Sequence, residues 1–129
     1  MNRQAPIEGC RVLIVEDEYL LGDDLANALR SLGAYVIGPI SEVAQAMSMT
    51  HDSFDVAVLD INLRGASIYP FVDELRRMKK PFIFATGYGA DMIPDRFQDV
   101  RRWEKPYPLD NVIADVAEMC GPLNPPIVA

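Results

Sequence analysis

A chain of 129 residues, half of them hydrophobic and 24 % charged, is long enough for one domain whose core needs neither disulfides nor a structural metal. Its formal net charge of −7 argues against nucleic acid as the main partner, because a phosphate backbone calls for clustered Lys and Arg. The basic groups Arg76-Arg77 with Lys79-Lys80, and Arg101-Arg102, are short and separated and read as solvated faces. No apolar run reaches the roughly 18 residues of a membrane span, and the start MNRQAPIEGC lacks the apolar stretch of a signal peptide, so the expected location is cytoplasmic. Cys10 and Cys120 sit near opposite ends without a CxxC or Cys/His pairing; free thiols in a reduced compartment fit them best, with a bridge between them as the alternative.

In chain order, Arg11-Val12-Leu13-Ile14-Val15 reads as a strand that ends in the acidic run Glu16-Asp17-Glu18. Leu21, Leu25, Ala28, Leu29 and Leu32 then recur at helical spacing, with Gly33 as a stop. Tyr35-Val36-Ile37 predicts a short second strand closed by Gly38-Pro39, and Ser41 can cap a helix carrying Val43, Ala44 and Met47. Residues 55–59 form an apolar third strand suited to burial on both faces, which stops on Asp60. A loop with Gly65 leads to a helix with Ile68, Phe71, Val72, Leu75 and Met78 on one stripe, and a fourth strand begins at Pro81-Phe82. Gly87, Gly89 and Pro94 oppose a long helix over 87–99, where the pattern predicts one short or distorted helix. Residues 100–103 suit an edge strand, Leu109, Val112, Ile113, Val116 and Ala117 mark the last helix, and GPLNPPIVA reads as an irregular tail.

Five strands alternating with helices imply a doubly wound α/β fold, a parallel sheet with helices on both faces. Right-handed crossovers put every strand's C-terminal end on one edge, which is where such sheets bind ligands. That edge collects Glu16, Asp17, Asp60, Thr86 and Lys105. Converging carboxylates suit a hard divalent cation with oxygen ligands such as Mg2+ (or Mn2+), and the lack of Cys/His clusters argues against zinc. A lysine and a hydroxyl in the same place suit a phosphoryl group, and a carboxylate such as Asp60 can itself be the nucleophile that takes it. Taken singly each residue has a plainer reading: Asp60 as a loop cap, the acidic run as a helix start, Thr86 as a turn residue, Lys105 as surface charge. His51, the one histidine, reads as a surface polar group.

The motifs LIVEDE at 13–18, VLDINLRG at 58–65, FATGYG at 84–89 and EKPY at 104–107, in this order and spacing, resemble the receiver domain of a bacterial two-component response regulator. The likeness runs over 10–120, leaving 1–9 as an N-terminal extension and 121–129 as a tail without an output domain. It implies a flavodoxin-like (CheY-like) three-layer sandwich with Asp60 as phosphoacceptor. Glu16, Asp17, Asp60 and the backbone carbonyl of Asn62 would hold the metal, and Thr86 and Lys105 would contact the phosphoryl group. It further implies a cis Lys105–Pro106 bond, and a phosphohistidine donor on a sensor histidine kinase or phosphotransfer protein. The expected state is a monomer or weak dimer, not an enzyme beyond its own phosphotransfer and autodephosphorylation. Two features depart from the common pattern: Arg102 stands where an aromatic switch residue is usual, and the stretch from Thr86 to Lys105 is short. Both, with Pro81-Phe82 before FATGYG, resemble the subgroup named for its FATGY motif, often paired with HWE-type kinases. Two rival expectations share the fold or the chemistry. One is a pseudo-receiver that binds partners without phosphate. The other is a Mg-dependent phosphohydrolase, disfavoured by Asn62 where such enzymes carry a second acid and by a chain too short for a cap domain.

Overall fold

The computed structural model describes residues 7–123 apart from 64 and 88. Strands β1 (Arg11–Val15), β2 (Tyr35–Ile40), β3 (Val56–Leu59), β6 (Phe82–Thr86) and β7 (Arg102–Glu104) form one parallel sheet in the order β2-β1-β3-β6-β7. Between them lie the helices α1 (Tyr19–Ser31), α2 (Val43–Met47), α3 (Tyr69–Arg77) and α4 (Leu109–Leu123). The doubly wound sandwich expected from the strand–helix alternation is therefore what the chain forms.

The strand sequences explain why both faces are covered. Leu13, Val15, Ala57, Leu59 and Phe84 share one apolar cluster with Ala46 of α2 and Phe71, Val72 and Leu75 of α3. Their neighbours in the alternation, Val12, Ile14, Val56, Val58, Ile83 and Ala85, share the other with Leu25, Ala26 and Leu29 of α1 and Val112 and Val116 of α4. A central strand that is apolar at every position has no polar face to offer water, so it folds only between two helical layers.

Several local expectations are corrected. The second strand runs on through Gly38 and Pro39 to Ile40, with a register shift between Leu13 and Val15 on the partner strand. Gly38 makes this possible: its φ is +104°, and a Cβ there would meet the Ile14 carbonyl oxygen at 2.5 Å. Helix α2 starts one residue after Glu42 without a side-chain cap, so Ser41 does not cap it. The loop containing Gly65 holds a two-strand antiparallel ribbon, β4 (Asn62–Leu63) and β5 (Ala66–Ser67). The described residues of the stretch expected to hold one helix form two short 3-10 turns, Ala90–Met92 and Asp95–Phe97, instead. The edge strand begins at Arg102, and α4 extends to Leu123, three residues into the expected tail. Residues 1–6 and 124–129 of the two expected extensions lie outside the described residues.

The cysteines are the largest correction. Cys10 immediately precedes β1 and Cys120 lies near the end of α4; both are fully buried, with Cα atoms 6.0 Å apart and the sulfurs bonded to each other. Packing α4 beside α1 and over β3 and β6 brings together two thiols separated by 110 residues, a proximity no local pattern could disclose. Among the described residues no helix is long and apolar enough to cross a membrane.

Candidate functional site

The C-terminal edge of the sheet gathers the charged groups, and each arrives through backbone geometry. Glu16 and Asp60 are the first residues past β1 and β3. The Glu16 N–H donates to the Ile40 carbonyl and the Asp60 N–H to the Val15 carbonyl, both at 2.8 Å, so the parallel ladder continues one step beyond the strands and fixes where the two acids point. Lys105 is placed the same way, its N–H donating to the Thr86 carbonyl at 2.8 Å. The Lys105–Pro106 peptide bond is cis, as the family resemblance implied, and so is Gly38–Pro39, which the sequence had not suggested.

Carboxylate oxygens of Glu16, Asp17 and Asp60 lie within 4.8 Å of one another. Glu16 and Asp60 are each only 6 % exposed and Thr86 is fully buried. Such crowding of like charges is tolerable because the Lys105 ammonium bridges the group. Its Nζ donates to Glu16 Oε2 at 2.8 Å, to Glu18 Oε1 at 2.8 Å and to Asp60 Oδ2 at 3.2 Å. A cavity of about 300 Å³ opens beside these atoms, lined by Asp17, Glu18, Asp60, Asn62, Thr86 and Lys105, with Gly87 at its rim.

The electrostatics follow from burial. Loss of water pushes the Glu16 carboxyl up to about 7, helped by the Asp60 charge and opposed by hydrogen bonds from Lys105 and the Glu18 N–H. Burial works the other way on Lys105, but the hydrogen bonds to Glu16 and Glu18 and the nearby Asp60 outweigh it, and its pKa is raised. Burial, reinforced by Glu16, lifts the Tyr107 phenol to about 12. Lys105 is thus held as a permanent cation among acids.

All five side chains expected at this edge converge on it. Asn62 also lines the cavity; its N–H faces Asp60 Oδ1 at 3.4 Å, while its side-chain oxygen accepts from the Gly65 N–H at 3.1 Å. Glu18 is the residue that sequence reasoning passed over, treating it only as part of the acidic run. The signal available was its position: two residues beyond Glu16 at the N-cap of α1, its side chain can turn back to the same ammonium. Trp103 and Tyr107 pack against the α1/α4 cluster as expected, and the Trp103 Nε1–H donates to Asp115 of α4 at 2.6 Å. His51 lies on the surface away from this edge, beside Asp52.

No protein-family model matches the chain. The response regulator protein PmrA of Pseudomonas aeruginosa is 32 % identical over 113 residues, which cover 82 % of this chain and 50 % of that protein. The chain spans half or less of the length of the curated relatives it matches. Among solved structures, the PhyR response regulator REC domain of Erythrobacter litoralis superposes with a TM-score of 0.78 at 27 % identity, covering 95 % of this chain and 98 % of that one. The BeF3-activated conformation of SdrG from Pseudomonas melonis gives a TM-score of 0.69 at 37 % identity over 84 % of this chain and 95 % of that one. Likeness of sequence and of fold thus run together over nearly the whole described chain, and this chain belongs to the receiver domains of response regulators.

Proposed function

We propose that this receiver domain takes a phosphoryl group onto Asp60 in a Mg-dependent reaction and signals through changed contacts with other proteins. One observation carries the reading: a buried aspartate at a strand end, bridged by a lysine to two further acids and facing an open polar cavity beside a buried threonine. The donor set fits a magnesium ion, since three carboxylates at short range supply hard oxygen ligands and leave room for water and phosphate. Glu16, Asp17 and Asp60, with the Asn62 carbonyl, would hold it. Bound there, the metal supplies positive charge that offsets the negative charge of the incoming phosphoryl oxygens.

The chain's own residues do the rest. An Asp60 carboxylate oxygen attacks the phosphorus of a phosphohistidine on a sensor kinase or phosphotransfer protein. The P–N bond breaks, its electron pair returns to the imidazole, and an acyl phosphate remains on Asp60. Lys105 moves its hydrogen bonds from the acids to a phosphoryl oxygen, and the Thr86 hydroxyl donates to another. Attack by water on the acyl phosphate restores the carboxylate and releases inorganic phosphate.

Intact mass after incubation with acetyl phosphate, with and without Mg2+, tests this on the wild type and Asp60→Asn. The expected result is one phosphoryl adduct that requires both Mg2+ and Asp60. Absence of an adduct from acetyl phosphate and from phosphohistidine donors alike would turn the reading to a receiver that works by binding alone.

A further inference from the structure

Three of the chain's six methionines and its single histidine border one cavity. The cavity, of about 490 Å³, lies between the end of α2, the loop that leads into β3 and the last turn of α3. Met47 closes α2, Met49 and His51 follow it in the loop, and Met78 is the residue after α3. The loop enters β3 at its start, whereas Asp60 lies past the other end of that strand, so the cavity and the acidic edge are separate.

Methionine most often serves as a flexible filler of cores, but this set is placed differently. Met47 is 43 % exposed, and Met49 and Met78 are only partly buried, with the buried Phe71 in the same wall. The charged groups of the wall, Glu74 and Arg77, are committed to each other: Arg77 Nη2 and Nε both donate to Glu74 Oε1, at 2.6 and 3.1 Å. What the wall offers a ligand is therefore thioether sulfur and imidazole nitrogen. The loop that carries two of these groups is held in shape by its own bonds. The Met49 N–H donates to the Ala46 carbonyl and the Ser53 N–H to the Thr50 carbonyl, both at 3.0 Å, and the Thr50 N–H to Ser53 Oγ at 3.2 Å. Closing on an ion would need only rotations of long, flexible side chains, not a new backbone path.

The donor set selects the ion. A thioether is uncharged and polarizable, a poor ligand for hard divalent cations and a good one for Cu+, and imidazole suits the same metal. Asp52 Oδ1 lies 3.3 Å from His51 Nε2, and a carboxylate on one ring nitrogen is the usual support for an imidazole that binds a metal through the other. Neither cysteine is free to compete as a thiolate while Cys10 and Cys120 are bonded. We propose that Met47, Met49, Met78 and His51 form a binding site for a soft monovalent cation, Cu+, which ties the loop before β3 to the end of α3. The site does not depend on the phosphoacceptor reading of Asp60.

The test uses the whole chain with its disulfide intact, and Ag+ in chloride-free buffer as a redox-stable probe, read by the methionine methyl and histidine ring resonances. Ag+ is expected to shift the methyls of Met47, Met49 and Met78 and the His51 ring, saturating at one ion per chain, and to leave Met92 and Met119 in place. Cu+, added without oxygen as its acetonitrile complex, should produce the same pattern, and Zn2+ should not. Met47→Leu with Met49→Leu keeps the side-chain volumes and should weaken Ag+ binding by roughly tenfold or more. His51→Gln changes an exposed position that the fold does not rest on, and should weaken it by about the same factor. Shifts spread equally over all the methionines, an affinity unchanged in both variants, or failure of both Ag+ and Cu+ to saturate the wild type would overturn the inference.

Discussion

Asp60 and Lys105 make opposite contributions to the resting protein although they touch each other. Asp60 is one of three carboxylates within 4.8 Å, so replacing it with Asn relieves repulsion while the amide oxygen can still accept from the ammonium. Among the described residues Lys105 is the one cation hydrogen-bonded to Glu16, Glu18 and Asp60, and its loss leaves buried acids unopposed. Urea unfolding in metal-free buffer at pH 8 is therefore expected to show Asp60→Asn more stable than wild type by about 1 kcal/mol. Lys105→Met should be less stable by about 2–3 kcal/mol, since stranding buried charges is costly. Added Mg2+ should recover much of the Lys105→Met loss by replacing the missing positive charge, and should stabilise Asp60→Asn less than wild type. A Lys105→Met protein as stable as wild type without metal would mean that the ammonium is not what holds the acids together. These residues were legible in the sequence because each ends a strand or follows one immediately, and strand ends in a parallel sheet share an edge. Glu18 was not legible in the same way: its role depends on a side chain turning back from the start of a helix, which periodicity does not encode.

At the scale of elements, two devices hold the strands in register, one at each end of the sheet. Arg11, the first residue of β1, is clasped by Asp55 just before β3. The Arg11 N–H and Nε donate to Asp55 Oδ2 at 2.9 and 3.3 Å, and Nη2 donates to Oδ1 at 2.9 Å. Burial alone would raise the Asp55 pKa, but the hydrogen bonds and charge of Arg11 outweigh it and hold the carboxyl below its ordinary value. A carboxyl whose pKa is lowered on folding stabilises the fold above its unfolded pKa of about 3.9, and the contribution fades as pH falls through the lower folded value. Asp55→Asn should therefore cost about 1–2 kcal/mol at pH 7 by urea unfolding, Arg11 being partly exposed. The gap from wild type should narrow at the lowest pH at which both proteins still fold; a gap independent of pH would show that ionisation is not the source. The second device is Gly38. Gly38→Ala puts a methyl against the Ile14 carbonyl oxygen at a backbone angle that L-residues avoid, and should cost about 3 kcal/mol or more. Here the limits of the sequence have physical causes. Gly38-Pro39 looked like punctuation because both residues break ordinary strands, but the sheet uses them to carry β2 past an irregular step in β1. Between 87 and 99, Gly and Pro did exclude a long helix; two 3-10 turns arise because ties to α3 from Tyr69, Arg76 and Asp73 replace the packing a helical stripe would have provided.

For the molecule as a whole, the Cys10–Cys120 bond changes what stability means. It joins the residue before β1 to the end of the last helix and so closes a loop of 110 residues, nearly the entire described chain. In the chain-entropy account a cross-link acts mainly on the unfolded state, and a loop near this length corresponds to roughly 4–5 kcal/mol at most. The folded state needs the link much less. Both sulfurs sit inside the α1/α4 cluster with Val12, Leu25, Leu29, Val112 and Val116, where reduced cysteines pack as small apolar side chains. Reduction should therefore leave the fold and the acidic edge unchanged while lowering the unfolding free energy by about 2–4 kcal/mol. The measurement is urea unfolding of the oxidised protein, of the same protein in a dithiol reductant, and of Cys10→Ala with Cys120→Ala. The reduced protein and the double variant should unfold at a similar, lower midpoint, and the slope with urea should be steeper for both because their unfolded chains are more extended. Mg2+ should bind all three with equal affinity, since Glu16 and Asp60 are placed by backbone bonds at the opposite end of the strands. A reduced protein that lost Mg2+ affinity or failed to fold would show that the bond holds the native sheet in place, and the entropic account would not describe this chain.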